Sequence, residues 1–280
     1  MSGVKFFLIF TVIFFTKSAT SQELYVFSEP ASNMPAHSIS GKITGHFVSS
    51  DNIYGRFTQR YMPELMFGLS KKLMVHLSAT ISNMHTTNFK FESYSLYTKY
   101  RFFSKDDIHK HFRMAVFADA SHTNAPFHYD EITVMGDKSG VQLGLVATQL
   151  LNKLAVSGTI SHTQVLDNSR NDKVIYVPAR SYQSLFYSLS AGYLLLPKEY
   201  TDYKQLNINF YTEMLAQQTL DQSKYYVDIA PALQFIFESN AKLNIGYRFQ
   251  VGGNMQRMSA TQWLVSFERT FLNALKKKQK

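Results

Sequence analysis

The sequence predicts an all-β protein: a transmembrane, antiparallel up-and-down β-barrel of about 12 strands. Three observations predict this fold class. Many stretches alternate apolar and polar side chains, an export signal precedes them, and short and long connections alternate between them. Because successive side chains of a strand point to opposite faces, such alternation gives each strand one apolar and one polar face. An exported chain of such strands is typical of an outer-membrane barrel.

The N-terminus has the features of a secretory signal peptide. Lys5 forms a short basic region, residues 6–15 (FFLIFTVIFF) an apolar core, and Ala19-Thr20-Ser21 a cleavage site of small residues. The alternative is a membrane anchor, but an apolar run of about ten residues is shorter than the ~20 that a spanning helix needs. We therefore predict that residues 1–21 are a signal peptide and that the chain is exported to the outer membrane of a Gram-negative cell.

The clearest strand pattern is LNINFYTEMLA at residues 206–216, where Asn207, Asn209 and Tyr211 lie on the polar face. The other predicted strands share its period of two. An even number of strands is what single-chain bacterial barrels have. Pro231 removes one hydrogen-bond donor from its strand and predicts a bulge. The predicted strands are residues 37–48, 57–69, 73–83, 94–102, 112–120, 141–150, 154–165, 182–195, 206–216, 225–237, 243–251 and 263–271.

The connections predict which end of the barrel is which. Tight turns are expected at residues 70–72, 152–153 and 239–240, whereas residues 85–92, 122–139 and 166–180 form long polar loops. Short periplasmic turns and longer outer loops have this rhythm, which places both termini on the periplasmic side. Residues 37–272 are then the barrel. Residues 22–36 are a periplasmic segment or a plug for the lumen, and residues 273–280 are a basic tail.

Composition excludes several classes of function. The chain has no cysteine, so neither disulfides nor thiolate metal sites can form. Its net charge of +9 is concentrated at the ends of the chain, whereas a nucleic-acid surface needs a basic stripe on the folded body. A soluble β-protein would also alternate, but charges in the middle of strands favour a polar lumen. Outer-membrane lipid and the barrel-assembly machinery are the expected partners, the latter through the aromatic residues Phe267 and Phe271 of the last strand.

Seven segments of the chain resemble known sequences. Together they are similar to an uncharacterised outer-membrane β-barrel family of Bacteroidota-type bacteria and, more distantly, to the transporter barrels named after the phenol-degradation meta pathway. The resemblance covers nearly the whole mature chain and implies a barrel architecture, with no catalytic motif to transfer. The segments are EPASNMP, KKLMVH, SLYTKYRFFSKDDIHKHFRMA, VATQLLNKLAVS, YSLSAGYLLLPKEYTDY, YYVDIAPALQFIF and YRFQVGGNMQRM.

The sequence contains no motif that predicts catalysis or a cofactor. No phosphate-binding glycine loop, Gly-x-Ser-x-Gly elbow or His-Glu-x-x-His pattern is present, so we expect no catalytic residue, cofactor or metal. His162 is the candidate for an alternative, a lipid hydrolase or acyltransferase in the membrane, but no partner is identifiable by spacing. Two clusters could hold a cation but read more simply as solvated turns: Asp106, Asp107, His109 and His111, and His122, His128, Asp130 and Glu131.

The polar faces predict a charged lumen, and function is expected there. Nearly balanced charges could brace the interior or line a narrow path with weak ion selectivity. The leading function is passive passage of a small solute, and the alternative is a non-conducting structural or surface-interaction barrel. Residues 23–37, with two prolines before the first strand, could fold back into the lumen. The predicted lumen residues are Arg60, Glu64, Lys99, Arg101, Asp119, Glu213, Asp228, Arg248 and Glu268.

Overall fold

The computed structural model describes residues 25–108, 110–125, 129–166, 181–199, 202, 204–221 and 223–276, so the predicted signal peptide lies outside the described residues. Within them, the chain forms one closed antiparallel barrel in which each strand pairs with its neighbours in sequence and the first pairs with the last. The predicted fold class is confirmed. The strands are β1 (Ser38–Val48), β2 (Thr58–Gly68), β3 (Leu73–Ser82), β4 (Lys90–Asp106), β5 (Lys110–Thr123), β6 (Gly140–Leu151), β7 (Leu154–Val165), β8 (Gln183–Leu196), β9 (Asn207–Thr219), β10 (Tyr225–Phe237), β11 (Ala241–Gly253) and β12 (Thr261–Phe271).

Several strands are longer than the sequence predicts, and β4 and β5 exceed their predicted bounds by the most. β4 continues to Asp106 and β5 begins at Lys110. Most of the charged stretch that was predicted to link them is therefore paired as strand, and only a short turn remains. Asp106 stabilises this extension, because its carboxylate lies 2.9 Å from both His111 Nδ1 and Arg113 Nη2. The polar composition of this stretch concealed its strand conformation.

Pro231 does not mark the bulge that the sequence predicts. It stays in register with Thr212 of β9, and the irregularity of β10 lies at Val227 and Asp228 instead. The pairs recorded between β10 and β11 resume at Ala232 in the same register, so the missing N–H of the proline interrupts the ladder to one neighbour without displacing it.

The barrel is apolar outside and polar inside, the reverse of a soluble β-sandwich. Leu65 on β2 and Leu143 on β6 are 52% and 61% exposed on the outer face. Ser40, Glu213 and Asp228 are fully buried on the inner face. Every strand contributes exposed apolar side chains to an outer apolar belt. Contact of so much apolar surface with water would cost a large free energy, so the belt is suited to contact with lipid.

Aromatic pairs lie near both ends of the belt. The ring centroids of Tyr247 and Trp263 lie 4.8 Å apart near the end with the longer loops. Those of Phe103 and Phe112 lie 5.9 Å apart near the opposite end. Such girdles mark the two water–lipid interfaces of a barrel. Among the described residues, no helix is long and apolar enough to cross a membrane.

Candidate functional site in the barrel lumen

The chain before β1 lies inside the barrel. We call residues 25–36 the lumen segment. Its backbone is bound by Glu213 of β9, whose Oε1 accepts hydrogen bonds from the amides of Val26 and Phe27, each at 2.8 Å. Ser28 Oγ donates to Oε2 of the same carboxylate at 2.6 Å. Glu213 is therefore a buried acid that is satisfied by neutral donors and needs no cation.

Three more strands hold the rest of the lumen segment. The amide of Ala31 donates to Thr148 Oγ1 of β6 at 2.9 Å. Lys99 of β4 donates to the carbonyl of Pro30 at 2.7 Å and lies 3.2 Å from Glu29. On the opposite wall Gly246 leaves room for Phe27, since a Cβ there would come within 2.7 Å of the ring. The segment thus contacts the barrel wall on several sides at the periplasmic half.

A long outer loop also turns into the lumen. We call residues 124–139, of which 126–128 are not described, the inward loop. Its Asp137 accepts hydrogen bonds from Arg60 of β2 and from Tyr129 within the loop. Its Ile132 exchanges two hydrogen bonds with Gln217 of β9, at 2.9 and 2.6 Å. These contacts fix the loop across the barrel.

The opposite side of the inward loop is bound by a cluster of charges. Glu131 lies 3.2 Å from Arg257 Nε and 3.3 Å from Arg248 Nη2. Arg257 Nη1 also lies 2.8 Å from Asp228, which accepts a second bond from Arg248 Nε. Arg257 stacks 3.8 Å above the ring of Tyr226. Each buried charge therefore has a partner of opposite sign, as its burial requires.

Two acids of the inward loop, Glu131 and Asp137, stay ionised at neutral pH. Burial raises the pKa of Glu131, but the guanidinium groups of Arg257 and Arg248 outweigh it, and the pKa lies below its usual value. Burial likewise opposes ionisation of Asp137, and Arg60 and the Tyr129 hydroxyl hold its pKa below the usual range. Both loop anchors are thus ion pairs rather than neutral hydrogen bonds.

Below this region, a ring of charges lines the periplasmic half. Lys42 of β1 lies 3.4 Å from Glu64 of β2, and His76 of β3 lies 2.6 Å from the same carboxylate. Lys242 of β11 lies 2.9 Å from Glu268 of β12. Between the inward loop and the wall there is a cavity of about 100 Å³ whose lining includes Arg60 and Arg248.

Most of the predicted lumen residues lie on the inner face. Arg101 differs: it lies at the periplasmic end, where its guanidinium donates to the carbonyl of Lys71 in the β2–β3 turn at 2.7 Å. Arg101 keeps the inward parity of Lys99 and pairs with the buried Ala115, and the bulge of β4 begins only after it. The residues that face the lumen are Arg60, Glu64, Lys99, Asp119, Glu213, Asp228, Arg248 and Glu268.

The structure adds lumen charges that the sequence reasoning missed. Lys42 and Lys242 lie on predicted strands or next to them, and the same alternation could have identified them. Glu29, Asp137 and Arg257 lie in connections, and no periodic signal reveals that a connection folds inward.

The alternative sites are not assembled. Within the described residues, no group of three or more His, Cys, Asp or Glu side chains could hold a metal ion. His122 packs on Tyr94 on the outer face, whereas Asp130 and Glu131 turn inward; His109 and His128 lie outside the described residues. His162 pairs with Leu143 and Leu185 on the outer face of β7, and in the described part of the chain no acid is recorded that would orient it.

Comparisons with solved structures find outer-membrane barrels. The chain is similar to an outer membrane channel from Pseudomonas putida F1, at 12% sequence identity and a TM-score of 0.57, over 88% of this chain and 100% of that chain. It is also similar to the KdgM porin, at 11% identity and a TM-score of 0.48, over 84% of this chain and 99% of that chain. A scan of protein-family models and a search of curated proteins give no match. At these identities the similarity to the Pseudomonas channel establishes a shared fold.

Proposed function

We propose that the protein is an outer-membrane channel for the passive or facilitated passage of a small polar solute. The observation that carries this proposal is the content of the barrel. Its lumen holds two chain segments bound by hydrogen bonds and ion pairs, with only small apolar clusters beside them. Because the closed ladder of strands does not depend on either segment, each can move while the barrel stays intact. A polar interior inside an apolar belt is the arrangement of diffusion barrels.

The charges favour a path that is narrow and only weakly ion-selective overall. Most lumen charges neutralise one another over short distances, as Lys42 and Glu64 do. Such pairs brace the wall without creating a strong field along the axis. The lumen segment narrows the periplasmic half and the inward loop the outer half. Their positions set the bore.

Deletion of residues 25–36 behind the intact signal peptide tests the proposal. The purified barrel should show a higher single-channel conductance in a planar bilayer than the full chain. It should also admit larger neutral sugars in liposome-swelling assays. A barrel that folds, as judged by heat-modifiable migration, yet shows unchanged conductance would contradict the role of the segment. The absence of any conductance in both proteins would contradict the channel itself.

The second candidate is a non-conducting structural or surface-interaction barrel. It is favoured by the occupation of the lumen from both ends, with Lys99 and Asp137 as fixed anchors. In that case the outer loops engage partners, and deletion of the lumen segment should change stability without producing ion flow. The conductance experiment above separates the two candidates.

We also propose that the protein lies in the outer membrane, with lipid against its apolar belt. We propose that the assembly machinery recognises β12, whose Trp263, Phe267 and Phe271 point outward. The relation to a Bacteroidota barrel family and to the phenol meta-pathway transporters stays a prediction from the seven sequence segments, and lipid-enzyme activity stays the third alternative.

A further inference from the structure

Three inward side chains form a row across neighbouring strands. His76 of β3 pairs with Tyr97 of β4, and Tyr97 pairs in turn with Asp119 of β5. The rings of His76 and Tyr97 lie 4.9 Å apart, and Phe117 lies 5.5 Å from Tyr97 on its other side. Gly144 of β6 leaves space for Phe117, because a Cβ there would come within 2.3 Å of that ring. The row is therefore an aromatic surface with a carboxylate beside it.

Each member of this row has a buried polar atom that no other described residue binds by a hydrogen bond. These atoms are His76 Nε2, the Tyr97 hydroxyl and Asp119 Oδ1. The imidazole of His76 is 3% exposed, so its unpartnered nitrogen is a costly arrangement unless something else binds it. Orphaned polar atoms at three successive cross-strand positions indicate a place that is built for a ligand.

Asp119 also differs from the other acids that the structure describes in the lumen. Glu64, Asp137, Asp228 and Glu268 each lie within 4 Å of a cationic side chain, and Glu213 is satisfied by four neutral donors. Among the described residues, no side chain pairs with Asp119, and its carboxylate accepts a hydrogen bond from the backbone amide of Ala120. Asp119 is thus the described lumen acid that has neither a cationic neighbour nor a full set of neutral donors.

The hydrogen-bonding roles in the row select the chemistry of the ligand. His76 Nδ1 lies 2.6 Å from Glu64, so we assign its N–H to that carboxylate, which leaves Nε2 as an acceptor. Asp119 Oδ1 is an acceptor, and the Tyr97 hydroxyl can accept. A primary ammonium group carries three N–H donors and a positive charge that is attracted to aromatic faces. An anion would find one donor in the row, the Tyr97 hydroxyl, and would lie against the carboxylate of Asp119.

The row lies between the two segments that narrow the lumen. Lys99, two residues from Tyr97 on the same face, binds the lumen segment. Ser121, two residues from Asp119 on the same face, donates to the carbonyl of Lys138 in the inward loop at 2.6 Å. A solute that passes one segment reaches this wall before it meets the other.

We propose that His76, Tyr97 and Asp119 form a lumen subsite for the primary ammonium group of an organic cation. The subsite deepens the proposed function and rests on it, because a solute uses the subsite only if the lumen admits it. The expected cargo class is amines and basic amino acids. The subsite gives the channel a preference for cations that the balanced ion pairs elsewhere do not provide.

Asp119→Asn is the variant that tests the subsite, and Asp221→Asn is the matched control. Asp221 carries the same charge in the exposed β9–β10 turn, outside the lumen. In wild type, lysine should permeate liposomes faster than glutamine, and glutamine faster than glutamate. Asp119→Asn should abolish this order and bring the potassium-over-chloride permeability ratio close to one, while the control keeps both. Equal selectivity of Asp119→Asn and wild type, in barrels that conduct, would overturn the subsite and leave the channel intact.

A binding measurement tests the subsite even if the barrel does not conduct. Calorimetry with 1,4-diaminobutane on the detergent-solubilised full chain should give binding that Asp119→Asn weakens about tenfold or more, and that Tyr97→Phe weakens while keeping the ring. Succinate should not bind. If the diamine binds all variants equally, or not at all, the subsite is wrong. If it binds as expected but no variant conducts, the channel function fails and the subsite stands.

Discussion

Lys99 of β4 holds Glu29 and Pro30 of the lumen segment from within the barrel wall. Its ammonium lies 3.2 Å from the Glu29 carboxylate and 2.7 Å from the Pro30 carbonyl, and the lysine is fully buried. A lysine that is buried to this degree needs such partners to remain charged. The contact therefore couples the position of residues before β1 to the wall of the barrel.

Replacement of Lys99 by Met should release the lumen segment. The variant loses a charge-assisted contact. Because the Glu29 side chain is partly solvated, this contact stabilises the bound segment by about 1–2 kcal/mol. Its loss should raise the population of the released state roughly tenfold. Ser32→Cys places a thiol in the segment of a chain that has no other cysteine. A polar maleimide should label this thiol about tenfold faster in Lys99→Met.

The control for this labelling is Lys72→Met. Lys72 lies exposed in the β2–β3 turn, and its loss removes the same charge without touching the segment. Equal labelling rates for Lys99→Met and the control would mean that the other contacts of the segment, such as those with Glu213 and Thr148, hold it without Lys99.

Arg60 is predicted to keep the inward loop in place. Arg60→Met leaves the buried carboxylates of Asp137 and Glu92 without their cation. If the loop stayed in place, the folded state would be destabilised by about 3–5 kcal/mol. The loop should instead swing out and expose Lys138, which is 1% exposed in the closed arrangement. Trypsin should then cut after Lys138 in the variant and not in wild type, as mass spectrometry would detect. Lys90→Met, at the exposed start of β4, is the control, and cleavage at Lys138 in that control or protection in Arg60→Met would refute the anchor.

The fold was largely predictable from the sequence, whereas the contents of the barrel were predictable only in part. The sequence raised the segment before β1 as a possible plug but gave no indication of the inward loop. Alternation identifies which side chains of a strand share a face, so Glu213 and Asp228 could be placed inside from their positions alone. It fails where a bulge shifts the period, as happens in β4 between Arg101 and Phe103. Alternation also does not predict how a connection folds, because inward folding depends on partners that are distant in the sequence. Asp137 finds Arg60 across 77 positions of sequence, and neither residue carries a local sign of the other.

Acid should free the inward loop. The pKa values of Glu131 and Asp137 are lowered in the folded loop, so their ion pairs stabilise it above the ordinary carboxyl pKa, and this stability is lost as the pH falls through the lowered values. The change of conductance that reports release of the loop should therefore begin only below about pH 4. The double variant Glu131→Gln, Asp137→Asn should show the acid-state conductance already at pH 7. A transition between pH 5 and 7, or one that survives in the double variant, would assign the response to other groups.

The apolar belt predicts a steep depth dependence for charges on the outer face. Leu145 lies midway along β6, flanked by the exposed side chains of Val116 and Ile160. Leu145→Arg should lower the free energy of unfolding by about 2–4 kcal/mol, because the guanidinium would enter the hydrocarbon core. Leu151→Arg, at the periplasmic end of the same strand, should cost about 0–1 kcal/mol, since its charge reaches the interface. Urea unfolding of both variants in liposomes measures the difference, and equal losses would mean that the belt does not lie across the bilayer as the exposed faces indicate.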